Sequence, residues 1–99
     1  MINIAKKCSG DTLNIVLEGR LDTITAPELE KEIRSSVEGI TTLNFDFEKL
    51  EYISSAGLRV LLSTQKIMNR QGTMTIRNVS EAVMEIFEVT GFADILTIE

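Results

Sequence analysis

Apolar and polar residues alternate in four stretches of the chain, and this spacing predicts β-strands. The first two stretches flank the polar turn at residues 9–11 and predict a hairpin with strands at about 2–8 and 12–18. Two further strands and an extended C-terminal end follow. The residues that define the five extended segments are Ile2 and Ile4; Leu13, Ile15 and Leu17; Leu43, Phe45 and Phe47; Met74 and Ile76; and Leu96 and Ile98.

The first helix is predicted after an irregular crossing at residues 19–24. Thr25 is the expected N-cap, with proline in the first turn and Glu28 reaching back to complete a capping box. Gly39 is a plausible C-terminal cap. The buried face of this helix should contain Ala26, Leu29, Ile33 and Val37.

Two more helices are predicted from apolar residues three and four positions apart. The second runs from about 55 to 70 and ends at Gly72, and the third begins at Ser80 and ends at Gly91. We expect their buried residues to be Leu58, Leu61, Leu62 and Met68 in the second helix, and Val83, Ile86 and Phe87 in the third.

The order of elements predicts an α/β fold over a single domain spanning residues 1–99. Strands that alternate with helices indicate a mixed sheet of about four to five strands, mainly parallel after the first hairpin, with helices packed on it. Partners usually bind at the carboxyl ends of such strands. If the second and third strands are neighbours, Asp22 and the pair Ser54 and Ser55 converge at one edge of the sheet.

Net charge and cysteine content indicate which partners the protein can bind and where in the cell it works. The net charge of −5 disfavours binding to nucleic acid and to anionic membrane surfaces. The N-terminus lacks the apolar core of a signal peptide, and the lone Cys8, which we expect to be a small buried thiol, cannot form an intrachain disulfide. A cytoplasmic location is the simplest interpretation.

The two serines at 54 and 55 stand where an apolar run stops and a helical pattern starts. A serine there can cap the helix, because its oxygen accepts a hydrogen bond from a free backbone N–H. A hydroxyl at the positive end of the helix dipole also suits phosphorylation, since added negative charge is tolerated there. Spacing alone leaves both interpretations open.

The residue inventory argues against catalysis. The chain has no histidine, so Ser-His-Asp and Cys-His arrangements are impossible, and one cysteine without histidine excludes a typical zinc site. The glycine-rich nucleotide loops and the G-x-S-x-G nucleophile elbow are absent. We therefore expect no enzyme activity, metal or cofactor. A weak alternative remains, in which Asp22 and Asp46 approach each other in a small enzyme or nucleotide-binding protein.

Three cations fall on one face of the second helix: Arg59, Lys66 and Arg70, with Ser63 on the same face. A charged helix face usually means only a solvated surface. The alternative is a stripe that faces a partner, because Arg59 stands about one turn above Ser55.

Two blocks of sequence resemble the STAS domain family, and more narrowly the bacterial anti-sigma factor antagonists. The first is Gly19–Asp22 followed by Thr25–Ala26, and the second is Tyr52–Leu61. The late turn Phe87–Phe92 agrees as well, so the resemblance covers nearly the whole chain.

The resemblance implies a phosphorylation switch. In this family a serine at the start of the second helix, here Ser55, is phosphorylated by an anti-sigma factor that is also a serine kinase, and a serine phosphatase restores it. The unphosphorylated antagonist binds the anti-sigma factor and frees the sigma factor. An aspartate often precedes this serine in the family, whereas this chain has Ser54, which becomes an alternative acceptor.

The resemblance also implies a set of partner-binding residues at this edge. Asp22 matches the family's aspartate, and the other corresponding positions are Thr25, Ser54, Ala56, Gly57, Leu58 and Arg59. A competing interpretation is a STAS-like scaffold subunit of a lipid-transport or stress-sensing complex, in which Ser55 is never phosphorylated.

Overall fold

A four-stranded sheet forms the framework of the protein. The computed structural model describes residues 2–99, with strands β1 (Ile2–Ser9), β2 (Thr12–Leu21), β3 (Thr42–Ile53) and β4 (Thr73–Arg77). Their spatial order is β1-β2-β3-β4; the first pair is antiparallel and the next two pairs are parallel. The predicted hairpin and mixed sheet are confirmed, and the extended C-terminal end is a single parallel bridge from Ile98 to Ile76.

Three α-helices connect and cover these strands. They are α1 (Ala26–Arg34), α2 (Ser55–Gln71) and α3 (Glu81–Thr90), and a short 3-10 turn (Phe92–Asp94) follows. Along β2 and the first half of β3 the buried side chains alternate with more exposed ones. The helices therefore pack on one face of the sheet and leave the other face to solvent.

The core lies between the sheet and the helices. Phe47 links β3 to α3, because its ring centroid lies 5.7 Å from that of Phe45 and 6.4 Å from that of Phe87. Two residues expected in the core, Leu62 and Ile86, are only partly buried. Each flanks the stripe that faces the sheet. Contact with α1 instead buries the other flank of α2, including Val60.

Glycines end two helices, as predicted, for two different reasons. Gly91 adopts a left-handed conformation after α3, with φ of 82°. Gly72 follows α2 in extended backbone, and a Cβ there would overlap the carbonyl of Thr41. The prediction for Gly39 is wrong, because α1 already ends at Arg34 and Gly39 lies in a later turn with φ of 79°.

Two further expectations are corrected by the sheet. Strand β2 continues to Leu21 rather than stopping near residue 18, since register shifts after Val16 and Gly19 let it stay paired with β3. The crossing to α1 is correspondingly short. Cys8 is exposed rather than buried, because β1 is an edge strand with most of its length in solvent.

Candidate functional site

The carboxyl ends of β2 and β3 lie side by side and bring the predicted residues together. Leu21 pairs with Ile53, and the backbone N–H of Ser54 donates to the carbonyl of Leu21 at 2.8 Å. Asp22 and Ser54 each follow one of these paired residues. The expected convergence at one edge of the sheet is therefore confirmed.

Gly57 sets how closely α2 approaches this edge. A Cβ on Gly57 would lie 2.7 Å from Cγ of Leu21 and 2.8 Å from Cγ1 of Ile53. The first turn of α2 therefore rests directly on the last residues of β2 and β3. This contact fixes the position of Ser55, the first residue of α2.

The carboxylate of Asp22 organises the loop from β2 to α1. Its Oδ1 accepts hydrogen bonds from the backbone N–H groups of Ile24 and Thr25, both at 3.0 Å. The carbonyl of Asp22 also accepts from the N–H of Ala26 at 2.8 Å. One side chain thus holds the turn that leads into the helix.

Thr25 takes part in this loop in a way that differs from the predicted capping box. Its Oγ1 accepts from the N–H of Asp22 at 2.8 Å and donates to the carbonyl of Arg20, also at 2.8 Å. Thr25 has helical backbone angles and makes no side-chain bond to the first turn of α1. The capping box with Glu28 is therefore wrong, because the Thr25 hydroxyl turns back toward β2.

These hydrogen bonds keep Asp22 ionised. The N–H of Thr25 is the largest cause of a lowered pKa for the Asp22 carboxyl, and partial desolvation opposes it. The N–H of Ile24 lowers the pKa further. The edge therefore carries a fixed negative charge at neutral pH, beside the start of α2.

The two serines have different environments. Ser54 occupies the N-cap position of α2 with extended backbone, but its hydroxyl makes no capping bond. Its Oγ is buried and has no hydrogen-bond partner among residues 2–99. Ser55 is exposed at the first helical position. The serine open to solvent is therefore Ser55.

The other residues predicted for this site form two layers. Thr25 and Leu58 are only 6 % and 5 % exposed and, with the buried Gly57, support the surface from below. Ala56 is half-buried, whereas Arg59 is exposed. Ala56 and Arg59 can therefore contact another molecule directly, whereas the three buried residues shape the edge from below.

Two features of the edge were missed from sequence. Ile24 is 86 % exposed in the loop that Asp22 holds; its isolation between two threonines was the available signal. A groove of about 200 Å³ also separates α1 from α2, with Pro27 and Glu30 on one side and Ala56 and Arg59 on the other. Only tertiary packing creates this groove.

Asp46 does not belong to the site. It pairs with Val16 in the middle of the sheet, seven residues before Ile53 on a twelve-residue strand, so it lies about 20 Å from the edge. Its Oδ1 accepts from the N–H of Glu48 and from the amide of Asn78. The alternative in which Asp22 and Asp46 approach each other is therefore wrong.

Across residues 2–99, no group of three or more metal-ligating side chains comes together. In the same part of the chain, every helix is too short or too polar to cross a bilayer.

Curated relatives of similar length resemble the chain throughout. An anti-sigma-B factor antagonist of Bacillus subtilis is 29 % identical over 98 residues, covering 98 % of this chain and 90 % of its own. The anti-sigma-B factor antagonist of Listeria monocytogenes is 31 % identical over 97 residues, with 95 % and 84 % covered.

Solved structures of other proteins share the fold. An anti-sigma factor antagonist from Mycobacterium paratuberculosis superposes with a TM-score of 0.89 at 21 % identity, covering 99 % of this chain and 85 % of its own. The Bacillus cell fate determinant SpoIIAA in its phosphorylated form gives 0.77 at 20 % identity, with 98 % and 91 % covered. Residues 3–99 also match the family model of the STAS domain, and the protein belongs to the STAS domain family.

Proposed function

We propose that this protein is an anti-sigma factor antagonist that binds an anti-sigma factor through the edge formed by the Asp22 loop and the start of α2. The observation that carries the proposal is the convergence of this ordered, charged loop with an exposed serine at the ends of two paired strands. The names of the relatives support it. The role is regulatory binding, and it places the protein in the cytoplasm with its sigma factor.

Ser55 is the phosphoacceptor in this proposal, and the anti-sigma factor is its kinase. Ser55 is exposed at the first position of α2, where a kinase can reach its hydroxyl. The Oγ of Ser54 is buried, so its phosphorylation would require the edge to open. A serine phosphatase returns the protein to its binding-competent form.

Phosphorylation would change binding far more than folding. Phosphate adds about −1.5 to −2 charges, and the N-terminus of a helix favours such charge by about 0.3–1 kcal/mol. At the interface, the dianion adds bulk and a desolvation cost beside the ionised Asp22. A loss of about 3 kcal/mol would weaken binding more than a hundredfold.

The test is to incubate the full chain with a candidate anti-sigma factor kinase and ATP, and to map the phosphate by mass spectrometry. Ser55→Ala should block phosphorylation and retain binding measured by titration calorimetry. Ser54→Ala is the matched control and should still be phosphorylated at Ser55.

Two outcomes would change the proposal. Phosphate found only on Ser54 would overturn the assignment of the acceptor. Stable binding to STAS-containing assemblies, with no phosphate transfer from any kinase partner, would favour the scaffold interpretation instead.

A further inference from the structure

Charge is unevenly distributed among the helices of this acidic protein. Helix α2 contains Arg59, Lys66 and Arg70 and has no acidic residue, although the chain has a net charge of −5. All three cations are exposed. Within residues 2–99 the salt bridges are formed by Lys6, Arg34 and Arg77, so the cations of α2 have no carboxylate within ion-pair distance.

Arg59 is the α2 cation that stands next to Ser55. The two residues are four positions apart on one helix, which makes them neighbours on its surface. A long side chain on a helix leans toward the preceding turn, so Arg59 covers the turn that begins at Ser55. An anion placed four residues before a cation is also the more favourable order for such a pair.

The surroundings of Ser55 make a counter-charge important. Asp22 is ionised at the same edge, and Glu30 lines the groove that Arg59 shares with α1. Glu30 lies 3.9 Å from Arg34, which only partly compensates its charge. The nearby cation Arg20 is engaged over the ring of Tyr52, 4.4 Å from its centroid. A phosphate on Ser55 would therefore add to the negative charge of an edge that already holds Asp22, and Arg59, four positions along the same helix, forms no salt bridge within residues 2–99.

We propose that Arg59 binds the phosphate of modified Ser55 along the first turn of α2. Phosphorylation then has two effects on the partner-binding edge: it adds a dianion, and it withdraws Arg59 from the surface that a partner meets. The inference rests on the proposed function because it concerns the same serine. It deepens that function by naming the residue of this chain that responds to the modification.

The test uses the full chain with phosphoserine incorporated directly at position 55 by genetic code expansion, so no kinase is needed. The second pKa of the phosphate, about 6 for free phosphoserine, is followed by ³¹P NMR titration. Arg59→Gln should raise this pKa by about 0.3, because the dianion loses a neighbouring cation. Arg59→Lys should restore part of the difference.

Arg70→Gln is the matched control. It removes the same charge from the same helix, about 22 Å along the axis from Ser55, beyond the range of screened interaction at physiological salt. An unchanged phosphate pKa in Arg59→Gln, or an equal rise in Arg70→Gln, would overturn the inference. Because the phosphate is incorporated directly, this result is independent of whether a kinase modifies Ser55, which the assay under the proposed function decides.

Discussion

Replacing Gly57 with alanine tests how the edge is built. Alanine is ordinarily the better helix former by about 0.8–1 kcal/mol, so a helical glycine with free space around it would be improved by the change. Here the added Cβ would lie 2.7 Å from Cγ of Leu21, 2.8 Å from Cγ1 of Ile53 and 2.9 Å from Cδ2 of Leu21. Both neighbours are core residues at most 1 % exposed, so neither side chain can swing into solvent.

The magnitude follows from these opposing terms. Overpacking a well-filled core costs about 1–3 kcal/mol, and the gain in helix propensity offsets about 1 kcal/mol of it. We therefore expect Gly57→Ala to lower the free energy of unfolding by about 1 kcal/mol. The displaced first turn should also move Ser55 relative to the Asp22 loop and weaken partner binding.

The assay is urea unfolding followed by far-ultraviolet circular dichroism, which reports on the helices of a chain that has no tryptophan. A double-mutant cycle with Leu21→Ala identifies the cause, because that change removes two of the three atoms that crowd the new methyl group. Gly57→Ala should cost less in the Leu21→Ala background than in the wild type. A Gly57→Ala protein as stable as the wild type, with no coupling to Leu21, would refute the packing argument.

Three further predictions concern the residues around this contact. Asp22→Ala should lower the melting temperature at pH 7, and its difference from the wild type should shrink as the pH falls below about 4. The lowered pKa means that the ionised carboxylate stabilises the fold above its unfolded-state pKa, and this contribution is lost as the pH falls through the folded pKa. Leu58→Ala should cost about 2–5 kcal/mol in urea unfolding, whereas the exposed Arg59→Ala should stay within about 0.5 kcal/mol. Ser54→Ala should leave the melting temperature unchanged or raise it, because the buried Oγ makes no hydrogen bond; a fall typical of a lost N-cap would contradict this.

Buried and exposed residues alternate in the first turns of α2, so a modification of the exposed residues can change partner binding without unfolding the protein. Gly57 and Leu58 belong to the core and position the backbone, while Ser55 and Arg59 project into solvent from the same turn of α2. Under the proposed function, charge added at Ser55 would therefore meet a partner directly. The buried pair keeps the framework in place.

Local patterns in the sequence determined the helices, the hairpin and the place of the serines. Alternation of apolar residues sets strands and three-to-four spacing sets helices, because both depend on neighbours within a few positions. The start of α2 at Ser55 followed from the switch between these two periods. The resemblance of the motif around Ser55 to the STAS domain family then predicted that this edge binds a partner.

Only the tertiary structure decided which side chains come together and which of the possible hydrogen bonds form. The pairing of Leu21 with Ile53 brings Asp22 to the serines, and the length of β3 keeps Asp46 away from them. The Thr25 hydroxyl turned to Arg20 rather than to α1, because the continued pairing of β2 placed that carbonyl within reach. The choice of neighbouring strands and the packing of helices depend on contacts between residues far apart in the chain, which a local pattern does not specify.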